Sequence, residues 1–344
     1  MYIPSVDFIA LIIFIALVFD FTNGFHDAAN SVSTIISTKV LSPQKAIAFA
    51  AFFNFVAAFG FGVAVASTIS KIINLGIVDT NIVPFVILAA LLGAICWNLI
   101  TWYSGLPTSS SHALIGGLAG AGLSAGGLAA IKIATVNVVV LFMVLSPIIG
   151  FIMAFFVMAL VVRISRGIQR MTAERYFRSL QLLSAAAYSF SHGTNDAQKT
   201  MGIITPLLFS IGYFGATVDP NHLPVPLWVI LAAHGAIALG TLSGGWRIVK
   251  TMGFGITRLR PVDGFAAETA GSATIIGASM AGIPVSTTHV ISSSIMGVGA
   301  TQGAGQVRWN VARRIVWVWI LTIPASAIMG FLFFSGIFYC ASLV

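Results

Sequence analysis

The chain carries little charge: of its 344 residues only 8% are Asp, Glu, Lys or Arg, whereas 58% are hydrophobic. A soluble domain usually has about a quarter of its residues charged, so the composition excludes an ordinary soluble protein and predicts a polytopic membrane protein. The chain also has only two cysteines, Cys96 and Cys340, which lie in apolar runs without metal-ligand spacing. Neither a disulfide framework nor a zinc motif is therefore expected.

Other features that the sequence lacks argue against a cleaved signal peptide, a nucleic-acid surface and an enzyme. The first apolar run has no basic segment ahead of it and continues directly into a polar cluster, so a cleaved signal peptide is not expected. The net charge is +8, but the basic residues lie between apolar runs, where they act as orientation signals rather than as a nucleic-acid surface. No HExxH motif, Walker loop or hydrolase carboxylate pair is present, so an enzyme is not predicted.

The chain contains the same pair of motifs twice. An Asp beside Asn or His is followed, much further along, by a Pro, a hydroxyl cluster and a His. The sequences are GFHDAAN (24–30) with LPTSSSHALIGG (106–117), and GTND (193–196) with IPVSTTHVISSSIMG (283–297). Many secondary transporters build one midplane site from two such repeats. The expected fold is an all-α polytopic membrane protein with two inverted-topology repeats, in which two helical hairpins or broken helices form a midplane site.

Five apolar segments are predicted in each half. They are 6–40, 45–70, 82–104, 108–128 and 133–162, then 180–212, 226–247, 261–282, 286–304 and 311–340. The segments 6–40 and 180–212 exceed the roughly 20 residues of one span. Both carry Gly, Asn and Asp near the middle, so we expect broken or strongly tilted helices there. The stretches 105–131 and 283–306 fit either a hairpin or a full span.

The charged stretch 163–178 is the expected cytoplasmic linker between a first repeat, 1–162, and a second, 179–344. This position leaves both termini outside and most of the 17 Lys and Arg residues inside. The bias favours a second repeat that is inverted relative to the first. The expected location is the inner (plasma) membrane, with multiple passes through the lipid bilayer.

Ionisable groups at membrane depth are costly unless they are partnered, so they are candidates for function. The apolar segments contain Asp20, His26, Asp27, His192, Asp196, Lys199, His234 and Glu268. Two clusters offer oxygen ligands for a hard cation or a proton: Asp27 with Asn23 and Asn30, and Asp196 with Asn195. The alternative is that these groups only join neighbouring helices. Lys199 could simply neutralise Asp196.

The hydroxyl runs 108–111 and 286–288 follow Pro107 and Pro284 at a spacing typical of a helix start. A helix N-terminus offers free N–H groups and a positive dipole end, so two such ends facing each other would bind a tetrahedral oxyanion. The candidate substrate ligands are Thr108, Ser109, Ser110, Ser111, Ser286, Thr287 and Thr288. Ordinary N-capping is the alternative interpretation. The paired histidines His112 and His289 fit either helix-end packing or site chemistry.

At these residues the chain resembles the inorganic phosphate transporter family, the phosphate permeases. The matching strings are GFHDAANSVST (24–34), WYSGLPTSSSHALIG (102–116), SFSHGTNDAQKTMG (189–202) and GIPVSTTHVISSSIMG (282–297). The resemblance implies two inverted repeats, a substrate site between hairpin tips, and a homodimer. It assigns phosphate to Ser109–Ser111 and Ser286–Thr288. It assigns the cation or proton sites to Asp27, Asn30, Asn195 and Asp196, and Glu268 matches an acidic position of relatives.

The expected function is import of inorganic phosphate by a secondary active symporter coupled to protons or sodium, including import as a metal–phosphate complex. A sulfate or other oxyanion permease stays open, because hydroxyl and N–H donors do not separate these anions. A passive anion channel is a further alternative, against which fixed carboxylates argue. The expected partners are phosphate, the coupling ion (H⁺ or Na⁺), the bilayer and a second copy of the chain. No other cofactor, dedicated metal or nucleic acid is expected.

Overall fold

The computed structural model describes residues 5–60, 62–215 and 217–342, and these residues form helices without strands, apart from one isolated β-bridge. The expected all-α fold is confirmed. The helices of the first half are α1 (Val6–Ser37), α2 (Pro43–Val56), α3 (Ala64–Ser70), α4 (Val83–Tyr103), α5 (Ser110–Gly126) and α6 (Ile133–Ile164). Those of the second half are α7 (Arg170–Ser210), α8 (Leu227–Ser243), α9 (Trp246–Lys250), α10 (Pro261–Met280), α11 (Thr287–Thr301) and α12 (Trp309–Ser342).

The helices follow the same order in both halves. A long helix with an Asp cluster is followed by a helix and a short helix, then by a packed helix pair, and then by a long helix interrupted by proline. The interrupting prolines are Pro147 in α6 and Pro324 in α12. Within the first helix pair, Thr108 bonds Thr101 near the turn, so α4 and α5 run antiparallel as a hairpin. Helices α1–α6 therefore correspond to α7–α12.

The prediction for the two longest apolar segments is broken or strongly tilted helices. The long helices α1 and α7 are each continuous, so a break is excluded, and a strong tilt stays a prediction. The glycine of each motif serves close packing instead. A Cβ on Gly193 would lie 2.6 Å from the carbonyl oxygen of Asn54, so glycine lets α7 approach α2. Gly24 approaches the backbone of α8 at Ile237 in the same way. A bend of 64° does occur between α8 and α9, where Gly244 has a φ of 68°.

Helices α1 and α7 run antiparallel. Thr38 donates a 2.9 Å hydrogen bond to Gln181, whereas Asn23 donates at 3.4 Å to Asp196, so rising positions on α1 meet falling positions on α7. The two halves also exchange contacts: α5 packs on α12 and α11 on α6, while α1 packs on α8 and α7 on α2. Such an arrangement is compatible with an inverted repeat. The orientation of the halves relative to a bilayer stays a prediction.

The turns of the two hairpins are built alike. Gly105 and Gly282 both have positive φ, 64° and 70°, which favours glycine where the chain reverses. The carbonyl of Gly105 accepts a 2.9 Å hydrogen bond from Thr251, just after α9, and that of Gly282 accepts a 2.6 Å bond from Thr68 on α3. Each half therefore supports the turn of the other half.

Among the residues that the structure describes, five helices are long and apolar enough to span a membrane, and two bent helix pairs raise the number to as many as seven. Helices α6 and α12 expose large apolar side chains such as Leu141, Phe156, Ile320 and Leu332. Exposed apolar surface of this kind suits lipid rather than water. The structure thus supports a multi-pass membrane protein.

The charged stretch 163–178 is only partly a connection. Helix α6 ends at Ile164 and α7 begins at Arg170, so 165–169 is the non-helical part. The residues that follow include Arg, Met, Ala and Glu, which have high helix propensity and extend α7 towards its N-terminus. The division into two repeats of the chain at this stretch stays a prediction.

Candidate functional site

The first residues of α5 and α11 meet inside the protein. The Ser111 hydroxyl donates at 3.3 Å to the carbonyl oxygen of Val285, which lies just before α11. The rings of His112 and His289 pack edge to face with centroids 4.3 Å apart. Because all four residues are buried, the two helix N-termini form one enclosed contact.

Two of the predicted hydroxyls are helix caps. The Ser109 oxygen accepts from the backbone N–H of His112 at 3.3 Å, and the Ser286 oxygen accepts from that of His289 at 3.2 Å. The capping interpretation therefore holds for Ser109 and Ser286. One cap satisfies only one of the four unpaired N–H groups at a helix start, so the ends keep donors for an anion.

The remaining hydroxyls of the two helix starts differ in their partners. Ser110 is buried and its hydroxyl has no hydrogen-bond partner in the described part of the chain. On α11, the amide of Asn30 donates to Thr288 at 2.9 Å and to Thr287 at 3.4 Å, and Thr287 donates to Asp196 at 3.4 Å. The α11 hydroxyls thus lie between an amide and a carboxylate.

Thr108 lies apart from this group. Its hydroxyl donates at 2.9 Å to Thr101 and lies 3.2 Å from Nε2 of His26. It belongs to the junction of α1, α4 and the hairpin turn rather than to the facing helix ends. The repeated motif already indicated that Thr108 differs from the other hydroxyls, because its equivalent in the second half is Val285, which has no hydroxyl.

A cluster of acidic and imidazole groups lies beside the helix ends. One ligand atom each of Asp27, His192 and Asp196 lies within 4.8 Å of the others, and all three residues are buried. Asp27 also contacts Nδ1 of His26 at 2.7 Å. Carboxylate and imidazole groups this close can hold a cation or a proton. His192 was absent from the predicted site, although it stands where the first motif has Asn23.

Of the three predicted amides of the clusters, Asn30 contacts the α11 hydroxyls, and the other two differ in their partners. Asn23 donates at 3.4 Å to Asp196, so it joins the cluster from the opposite half. Asn195 instead donates at 2.8 Å to Ser279 and accepts at 3.4 Å from the backbone N–H of Val285. Asn195 therefore fixes the turn between α10 and α11 against α7.

Glu268 occupies a separate buried position between α10, α1 and α7. Its carboxylate accepts from Ser184 at 2.5 Å, from Thr34 at 2.6 Å and from Gln181 at 3.2 Å. These partners are all neutral donors, and none belongs to the aspartate cluster. Glu268 thus stays a candidate for a coupling role of its own.

One contact residue was missed at the sequence level. Tyr188 is fully buried on α7 and its hydroxyl donates at 3.0 Å to the carbonyl oxygen of Thr287, at the start of α11. It lies eight residues before Asp196, which places both side chains near one face of the helix. That spacing was the available signal.

Lys199 forms an ion pair with Asp196, with its ammonium nitrogen 2.7 Å from the carboxylate. Among the side chains that the structure describes, Lys199 is buried and no other lysine and no arginine is. The geometry thus agrees with the interpretation that Lys199 neutralises Asp196.

Comparison with known proteins decides the family. The phosphate transporter family matches residues 23–330 of the chain. The chain belongs to this family. A Rhizobium meliloti (strain 1021) protein named "Probable low-affinity inorganic phosphate transporter" is 50% identical over 320 residues, 93% of this chain and 93% of the relative. A Bacillus subtilis (strain 168) protein of the same name is 46% identical over 323 residues, 93% and 94% of the two chains.

A solved structure named "The sodium-dependent phosphate transporter" shares the fold. It superposes with a TM-score of 0.87 over 98% of this chain and 100% of that chain, at 24% sequence identity. Membership of the family confirms the resemblance that the four motifs carry, and the family is one of transporters rather than of enzymes. The roles of the individual site residues stay predictions.

Proposed function

We propose that the protein is a secondary active symporter that imports inorganic phosphate together with protons or sodium ions. The names of the relatives support phosphate as the transported anion. Phosphate would bind between the starts of α5 and α11, where backbone N–H groups and the hydroxyls of Ser110, Ser111, Thr287 and Thr288 are available. Phosphate has several oxygens to accept these donors at once.

The observation that carries the proposal is the contact between the hydroxyl site and the aspartate cluster. Thr287 donates to Asp196 at 3.4 Å, and Asn30, three residues after Asp27, donates to the same hydroxyl at 3.4 Å. A cation bound at the aspartates would therefore lie next to a bound anion. Mutual attraction of this kind makes binding of the two ions interdependent, which symport requires.

The electrical work of import explains why cations are needed. Moving divalent phosphate inward against an inside-negative potential of about 100 mV costs about 4.6 kcal/mol, at roughly 2.3 kcal/mol per charge. The hydroxyl and N–H groups carry no net charge that moves with the anion. Cations or protons that travel with phosphate offset the work, and Asp27 and Asp196 are the matched carboxylates that can bind them.

The identity of the co-transported ion belongs to the proposal. The structural neighbour is named as sodium-dependent, which supports Na⁺. The carboxylate and imidazole groups of Asp27, His192 and Asp196 also suit a proton or the divalent ion of a neutral metal–phosphate complex. We further propose that the protein works as a homodimer in the plasma membrane, as the resemblance implies.

Uptake of radiolabelled phosphate into proteoliposomes tests the function. We expect accumulation above the external concentration when an inward gradient of Na⁺ or of protons is imposed, and its collapse when an ionophore dissipates that gradient. Equilibration without accumulation would indicate a channel. Inhibition by sulfate as strong as by arsenate would indicate a general oxyanion permease. Ser110→Ala should weaken phosphate uptake, and Ser124→Ala is its matched control on α5, because Ser124 is half-buried and bonds Ser335 far from the helix start.

A further inference from the structure

The two aspartate motifs differ at one position that faces the site. Aligned on Asp27 and Asp196, GFHDAAN and GTNDAQK place Lys199 where the first motif has Asn30. Both side chains lie three residues after the aspartate, close to one helical turn on, and both are buried. A neutral amide in one half is therefore replaced by a cation in the other.

The two residues have different partners. Asn30 donates to Thr287 and Thr288 at the start of α11. Lys199 pairs with Asp196 of its own helix, α7. The exchange of the Asn30 amide for the Lys199 ammonium thus occurs at equivalent positions of two similar aspartate motifs.

Both carboxylate oxygens of Asp196 already have partners in the structure. One carboxylate oxygen lies 2.7 Å from the ammonium of Lys199, and the other accepts from Asn23 and Thr287 at 3.4 Å each. A free cation at Asp196 would be repelled by the adjacent ammonium and would have to displace these donors. The ion-pair partner of Asp27 is instead the imidazole of His26, which can be neutral. Asp27 is therefore the aspartate of the cluster that has no lysine or arginine in ion-pair contact among the described residues.

We infer that Lys199 is a tethered cation, which permanently fills the cation position of the second aspartate cluster, so that the Asp27 cluster alone binds an exchangeable coupling ion. This inference rests on the proposed symport. Because the lysine stays in the protein, it contributes no charge movement per phosphate. The chain consequently transports one monovalent cation fewer than a protein with two equivalent clusters.

Replacing Lys199 by the residue of the first motif tests the inference. In Lys199→Asn, Asp196 loses its internal cation and is expected to bind an exchangeable one. Steady-state phosphate accumulation is measured in proteoliposomes with the membrane potential clamped at zero, under a tenfold gradient of Na⁺ and separately under a pH gradient of about one unit. One additional monovalent ion in a tenfold gradient raises the limiting accumulation ratio about tenfold. We expect this increase for the coupling ion, and the wild-type ratio for the control Lys132→Asn, whose half-buried lysine donates to Asn221 away from the site.

Lys199→Gln keeps the inference testable if Lys199→Asn does not fold. It retains most of the length of the lysine side chain and removes its charge, so the same increase of about tenfold in the accumulation ratio is expected. A folded variant of either kind whose accumulation ratio is at or below that of the wild type would overturn the inference. A failure of the proposed function itself would appear differently, as absence of phosphate accumulation by the wild-type protein.

Discussion

The Asp27 and Asp196 clusters occupy equivalent places in the two halves, but they differ in chemistry. Asp27 pairs with a histidine at 2.7 Å, whereas Asp196 pairs with a lysine at 2.7 Å. The frame around them is alike, since each cluster is preceded by a glycine that allows close helix packing. The comparison shows that the repeat builds the frame of the site, while single substitutions decide which half can bind an exchangeable ion.

The starts of α5 and α11 likewise occupy equivalent positions but differ in their hydrogen-bond partners. On α5, Ser110 has no hydrogen-bond partner in the described residues, so its hydroxyl is available to an anion. On α11, the equivalent Thr287 already contacts Asn30 and Asp196. The α5 end is therefore the freer anion donor, and the α11 end is the one connected to the carboxylates. Four experiments test these comparisons.

The comparison assumes that the two halves are inverted relative to each other across the membrane. Cysteine labelling tests this assumption with an all-or-none result. In a variant without Cys96 and Cys340, single cysteines are introduced by Gln169→Cys, in the connection before α7, and by Thr217→Cys, before α8. Both positions are exposed. An impermeant maleimide is expected to label them from opposite sides of the membrane, because the long helix α7 separates them. Labelling of both from the outside would contradict inverted repeats.

Loss of either aspartate charge is the largest expected effect on transport. Asp27→Asn and Asp196→Asn should each abolish accumulation of phosphate against its gradient, even where phosphate exchange persists. The first removes the ligand of the exchangeable ion, and the second leaves the buried ammonium of Lys199 without its partner. Asp79→Asn, at an exposed loop carboxylate, is the control. Concentrative uptake in both single variants with unchanged pH and sodium dependence would move the coupling role to Glu268.

The hydroxyls at the helix starts should affect substrate affinity. A hydrogen bond to a charged group contributes about 1.5–3 kcal/mol, so each lost donor is expected to weaken apparent phosphate affinity by roughly tenfold or more. Ser110→Ala should have the larger effect, because the single O–H of Thr287 already donates to Asp196, whereas that of Ser110 has no partner among the described residues. The affinities of the two single variants and of the double variant with Thr287→Ala are measured from uptake rates. Wild-type affinity in the double variant, with normal expression, would leave these hydroxyls as structural groups.

The sequence predicted the parts of the site that follow from local rules. Helix starts after Pro107 and Pro284 depend on capping chemistry within a few residues, and the structure has α5 and α11 begin there. The matched order of the halves followed from the repeated motifs. By contrast, a glycine in an apolar run is equally consistent with a break or with a packing position. Gly24 and Gly193 proved to be packing positions, a distinction that depends on helices far away in the chain.

The partners of individual side chains could not be predicted in the same way. Asn195 belongs to the second motif by position, but it bonds Ser279, whose proximity arises only when α10 packs on α7. The spacing of Tyr188 from Asp196 indicates the helix face on which it lies, but not that its partner is Thr287. Such pairings depend on contacts between segments separated by about a hundred residues, which periodicity and spacing along one helix do not specify.

The smallest expected effect comes from a second His–Asp pair, which lies outside the membrane-spanning segments. His222 contacts Asp219 at 2.8 Å, nearly the distance of the buried pair His26–Asp27, but both side chains are largely exposed. The hydrogen bond from His222, together with the backbone N–H of Asn221, holds the pKa of Asp219 below its ordinary value. His222→Ala should raise that pKa towards the ordinary value without changing phosphate uptake at neutral pH. Titration of ¹³C-labelled aspartate by NMR measures the shift.

The direction of the pKa shift determines the pH range in which His222→Ala can change the stability of the protein. Because the pKa of Asp219 is lowered in the folded protein, its contribution to stability is present above the ordinary pKa of an aspartate, about 3.9, and is lost as the pH falls through the lowered value. Any loss of stability in His222→Ala should therefore shrink in strong acid and stay small at neutral pH, since solvent screens an exposed pair. His26→Ala removes the same contact from a buried carboxylate, and leaving such a group unpaired costs about 1–3 kcal/mol. Equal losses of thermal stability in the two variants would show that burial does not distinguish the pairs.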